Sequence, residues 1–144
     1  FPHREPHHLG PVGLFASYHP SWPPLRHHGP LLQHSLLILL ELHRTGQLSL
    51  ETIVSKTSHA VADLFQVEDR GYLREGYWAD FVLVDLDKPT LVTKDDLLAK
   101  CGWSPFDGQT FGASVETTVV SGQVAWRKGQ LNETTRGRAL TFIR

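Results

Sequence analysis

Apolar residues at Leu32, Leu36, Leu39 and Leu40, with His43 in line, recur at the spacing of one helix face. Leu37 and Ile38 are apolar too, so the stripe is broad. Such a helix expects burial on more than one side. Gly46 is its natural stop. Ser49 can cap a second helix through about residue 56, and Ser58 a third over 59–65. Val61, Leu64 and Phe65 would form the apolar face of the third. The period then changes. Gly71 and Gly76 bracket a turn-rich stretch, and Phe81-Val82-Leu83-Val84 reads as a strand that Asp87-Lys88-Pro89 ends. Thr93 can cap a short helix over 94–100. Residues 115–120 and 123–127 predict two strands joined by a Ser121-Gly122 hairpin turn, and 139–143 a last strand. Helices come first and strands later, which predicts an α+β chain with segregated parts.

Residues 1–29 break this pattern. Seven of the nine prolines and six of the nine histidines lie within residues 1–30. Proline removes amide donors and blocks helix and central strand, so this stretch predicts extended loop. The chain has 144 residues, 40% hydrophobic and 20% charged, which fits one globular domain. A net charge of -1 supplies no basic field for nucleic acid or an anionic membrane. The longest apolar run, Leu36 to Leu40, is far short of the roughly 20 residues a membrane-spanning helix needs. The single cysteine, Cys101, excludes an intramolecular disulfide and favours a reducing, cytoplasmic setting. Asn132-Glu133-Thr134 matches a glycosylation sequon, which that setting leaves unused. The chain begins at Phe1 and has no methionine, so it reads as processed or as a piece of a longer one.

Three segments carry a resemblance. The first is Pro30-Leu31-Leu32-Gln33-His34-Ser35-Leu36 with Leu40-Glu41-Leu42-His43. The second runs from Ile53 through Lys56-Thr57-Ser58-His59-Ala60 into Gly71, Gly76-Tyr77-Trp78-Ala79-Asp80 and the strand ending in Asp85. The third is Lys100-Cys101-Gly102-Trp103-Ser104-Pro105-Phe106-Asp107-Gly108, then Val119 to Val124. Together, over about residues 30–144, they resemble the C-terminal region of dihydroorotases of the amidohydrolase superfamily. The glycine, Ala-Asp and apolar-strand pattern is widespread in that superfamily; the Cys-Gly-Trp-Ser-Pro-Phe run is narrower.

The resemblance implies the last helices of a (β/α)8 barrel over 30–70 and part of a small C-terminal β-sandwich over 71–144. It implies a zinc-dependent hydrolase interconverting dihydroorotate and N-carbamoyl-aspartate in pyrimidine synthesis. There the metal polarises a carbonyl and activates water, and a carboxylate at the eighth strand takes a proton. The metal ligands of such an enzyme would lie upstream, so no metal ligand and no complete metal centre is expected within this chain. The family's Asp-His-Ala-Pro-His run is best matched by His3-Arg4-Glu5-Pro6-His7. His7 would stand at a substrate-binding histidine, while His3 replaces the catalytic aspartate and Arg4 the next histidine. Histidine cannot reproduce a carboxylate's charge. A diverged end, a frameshift and an unrelated leader all fit residues 1–29.

Other readings stand beside these. Trp103, Pro105 and Phe106 read as a packed loop, and Cys101 as a small buried hydrophobe. His34, His43 and His59 read as helix-face or cap residues rather than ligands. The pairs His7-His8 and His27-His28 point opposite ways on extended chain, so neither chelates simply. Three functions follow. One is a dihydroorotase fragment inactive alone, with an exposed apolar helix that favours self-association. Another is a non-catalytic partner of aspartate transcarbamoylase. The last is a small His-rich metal-binding module.

Overall fold

The computed structural model describes residues 32–143. The chain is a mixed helix and sheet assembly, helices first, as the change of period predicts. A 3-10 turn, Leu32–His34, leads into α1, Ser35–Arg44. Gly46 at φ +75 ends it, and the Leu48 carbonyl accepts from His43 Nδ1 at 3.0 Å. Ser49 caps α2, Leu50–Val54, its hydroxyl accepting from Thr52 N at 3.1 Å.

No separate third helix starts at Ser58. A π-helical turn, Ser55–His59, joins α2 directly to α3, Ala60–Phe65. Nothing between Ser55 and Ala60 breaks a helix, so the backbone continues with a shifted register. Ser58 instead donates to the Gly71 carbonyl at 2.8 Å. The expected apolar face is also different: Val61, Leu64 and Phe65 are exposed and Ala62 is buried. Ala62 faces the loop at Gly71, where a Cβ would collide with it and lie 3.3 Å from the Ser58 carbonyl. Gly71 also sits at φ +85. Gly71→Ala should therefore cost about 2–4 kcal/mol, combining left-handed backbone and overpacking. A urea midpoint unchanged from wild type would show that α3 can move aside.

The strands are β1 (Phe81–Asp85), β2 (Thr90–Leu91), β3 (Thr110–Phe111), β4 (Ser114–Val120), β5 (Gln123–Arg127) and β6 (Gln130–Leu131). An antiparallel sheet runs β1-β4-β5-β6, and β2 pairs with β3 separately. Ser121 at φ 50 and Gly122 at φ 80 make the two-residue turn between β4 and β5, whose left-handed pair matches strand twist. Two expected elements are absent. The stretch 139–143 forms only a bridge, Val67 to Phe142, because it meets the short loop after α3 rather than a strand. The helix expected over 94–100 is one 3-10 turn, Lys94–Asp96. The Gln33 amide takes the backbone groups further helix would use: it donates to Asp96 O at 2.7 Å and accepts from Leu98 N at 2.9 Å.

The core lies between α1 and the strands. Leu37, Val92 and Phe111 are buried there, with Ile38, Leu97, Phe106 and Val115 packed around them. Phe106 meets Phe111 edge-on at 5.5 Å, so the loop around residue 105 is packed as its aromatics suggest. Cys101 is exposed, contrary to expectation, because it lies in a surface turn beside Gly102 at φ 64. No helix among the described residues is long and apolar enough to cross a membrane.

Candidate functional site

Because the apolar stripe of α1 is broad, only part of it is consumed by the core. Leu37 and Leu40 point inward and are buried. Leu36 and Leu39 line an open groove of about 660 Å³ with Ile53 and Val54 of α2, Leu73, and Phe81 and Val82 of β1. Thr57, Ser58 and His59 of the π turn, with Tyr72, Arg74 and Asp80, supply its polar lining.

The floor is held by a clamp. Asp80 pairs with Arg70 and accepts from Ser121 N at 2.6 Å. Arg70 also donates to Ser121 Oγ at 3.3 Å, and Gly122 N donates to the Ala79 carbonyl at 2.9 Å. The Ala-Asp pair of the sequence motif thus joins the glycine turn to the β4–β5 hairpin.

The rim is a cluster of rings and cations. His59 stacks on Tyr72 with centroids 4.2 Å apart. The Tyr72 hydroxyl donates to Asp63 at 2.8 Å, and that carboxylate pushes the phenol pKa up. Arg74 lies over Tyr72 at 4.4 Å and over Tyr77 at 5.0 Å. His59 and Tyr77 fall in the segment that carries the resemblance, but nothing in the sequence marks them as one cluster with Tyr72 and Arg74 beyond the spacing Tyr72-x-Arg74 with Tyr77 past Gly76. On the far side of α1, the Arg44 guanidinium beside Glu41 holds its carboxyl below the usual range, aided by Gly112 N at 3.2 Å.

The catalytic-position candidate His3, the substrate-binding candidate His7 and the His-rich pairs all lie outside the described residues. The other three histidines serve the fold. His34 is buried, with Ser104 Oγ 3.5 Å from its Nδ1 and Phe106 edge-on at 5.8 Å. His43 secures the end of α1, and His59 stacks on Tyr72. These three stand on separate partners. No group of three or more His, Cys, Asp or Glu among the described residues could hold a metal ion. The described residues therefore do not fit the zinc that the dihydroorotase resemblance implies.

Comparison with known proteins places this geometry. The dihydroorotase of Halobacterium salinarum is 36% identical over 97 residues, covering 67% of this chain and 23% of that protein. The allantoinase of Desulfitobacterium hafniense is 32% identical over 94 residues, covering 65% of this chain and 21% of that protein. Among solved structures, the L-hydantoinase (dihydropyrimidinase) from Arthrobacter aurescens superposes with a TM-score of 0.63 at 32% identity, covering 67% of this chain and 22% of that chain. The chain thus spans about a quarter of the length of the curated relatives it matches. The model of the amidohydrolase family matches residues 40–126, from α1 through the clamp to β5. On that match the chain belongs to the amidohydrolase family, and its sequence is dihydroorotase-like.

Proposed function

We propose that this chain is the C-terminal portion of a dihydroorotase-like cyclic amidohydrolase and is inactive alone. One observation carries the reading: the match to a dihydroorotase extends over 67% of the chain, yet covers 23% of that enzyme. Residues 30–70 would be the last helices of the barrel and 71–144 part of the β-sandwich. The reaction of the whole enzyme would be the interconversion of dihydroorotate and N-carbamoyl-aspartate, in cytoplasmic pyrimidine biosynthesis. Zinc would be held mostly by residues other than those described, which offer no convergent ligands. His7 would bind substrate, and His3 would occupy the place of the catalytic aspartate without replacing its charge.

A second reading is a non-catalytic partner of aspartate transcarbamoylase. The open apolar groove, and the lack of a ligand cluster among the described residues, favour it. A third, the His-rich metal module, draws on the six histidines of residues 1–30. Metal content separates the readings. After zinc loading and dialysis, the fragment reading expects clearly less than one zinc per chain. Stoichiometric zinc that His7→Ala and His8→Ala remove would favour the module instead. Co-elution with aspartate transcarbamoylase from a sizing column would favour the partner.

A further inference from the structure

After β6 the chain runs back to the loop that follows α3. Ile143 N donates to the Gln66 carbonyl and Glu68 N to the Thr141 carbonyl, each at 2.9 Å, with Val67 and Phe142 bridged between them. Before that contact, the Arg138 guanidinium lies over the Trp78 ring at 4.6 Å. The Arg70 guanidinium lies 5.7 Å from the same ring. Burial adds little to this hold. Leu140 is 50% exposed, Phe142 46% and Ile143 60%. An open space of about 280 Å³ lies beside Ile143, lined also by Val67, Arg70 and Tyr77.

The loop so gripped follows an unfavourable path. Gln66 at φ 53 and Asp69 at φ 52 are left-handed without being glycine. Such a conformation persists only where the surroundings hold it. Two backbone groups of this loop, the Gln66 carbonyl and the Glu68 amide, take their partners from residues 141–143. The Asp69 carbonyl accepts from Trp78 N at 2.9 Å, and the next residue, Arg70, is the cation of the clamp. We infer that residues 138–143 are a releasable strap. Attached, they keep the loop in its left-handed path and Arg70 on Asp80. Released, they let residues 66–80 open while α1 and the sheet stay folded. Contacts made of backbone bonds and one exposed cation–ring pair, with little apolar area beneath them, open below global unfolding. Gly71 and Asp80 both line the groove, so the strap governs one wall of it from a distant part of the sequence.

Hydrogen exchange of the full chain, read by mass spectrometry, tests this. Ile143→Pro removes the donor to Gln66, and the extended backbone it asks of Phe142 is already present in the bridge. It should speed exchange within residues 66–80 about fivefold, the worth of one backbone hydrogen bond. Arg138→Ala should speed the same amides about threefold through the lost ring contact. Exchange in α1 and in β4–β5 should stay at the wild-type rate for both. Arg136→Ala is the control, since Arg136 donates only to the Glu133 and Thr135 carbonyls of its own turn. All three positions are exposed, so the fold tolerates the changes. Unchanged exchange at residues 66–80 in both variants would overturn the strap. So would a uniform rise along the whole chain, which would make these contacts part of the global fold. An equal rise from Arg136→Ala would overturn it as well.

Discussion

Phe111→Ala should lower folding stability by about 3–5 kcal/mol, the cost of truncating a fully buried aromatic. Phe111 is only 2% exposed and is the largest side chain so enclosed among the described residues. It is the point where α1, β3 and the loop at Phe106 meet, through Leu37, Val92 and the edge-on Phe106 ring. Urea unfolding followed by circular dichroism reads the loss directly. Leu83→Ala is the control: it removes a comparable apolar group at 54% exposure and should cost less than about 1 kcal/mol. Equal effects from the two substitutions would mean that the core lies elsewhere.

Asp80→Ala should also be strongly damaging. It removes the acceptor for Ser121 N and leaves Arg70 without its carboxylate. The Arg70 side chain is 12% exposed and that of Asp80 28%. Breaking a fully buried pair costs about 3–5 kcal/mol, and this one is partly hydrated, so about 2–3 kcal/mol is expected. Asp80→Asn separates the two roles. It keeps an oxygen for Ser121 N but loses the charge, so it should recover roughly 1 kcal/mol of that loss. Asparagine as damaging as alanine would assign the whole effect to the ion pair. Asparagine equal to wild type would assign it to the backbone bond.

The Gly, Ala-Asp and strand pattern is readable without a structure because Asp80 directly precedes the strand it opens and the turn at Ser121-Gly122 needs only its own two residues, whereas the clamp that joins Asp80 to Ser121 across 41 residues is not. Strands 81–85 and 123–127 are likewise set by local composition, and the described bounds agree closely. The misreadings arise where distant residues decide. Gln33 reaches across to Asp96 and Leu98 and stops a helix that local residues would allow. Gly71 draws Ala62 inward and leaves Val61, Leu64 and Phe65 outside. The breadth of the α1 stripe is legible and meaningful: Leu37 and Leu40 feed the core while Leu36 and Leu39 line the groove. That Tyr72, Arg74 and Tyr77 cluster as a rim is not legible even though they lie in a motif segment, because ring stacking across a turn has no sequence period.

We propose that this chain is part of a cyclic amidohydrolase and inactive alone; among the described residues no group of three or more His, Cys, Asp or Glu could hold a metal ion. Hydrolysis of dihydroorotate by the purified chain, with zinc added, tests it most directly. No turnover above the zinc-only background is the predicted result. Zinc-dependent turnover that His7→Ala abolishes would contradict it, showing that the chain builds a catalytic centre from its own residues.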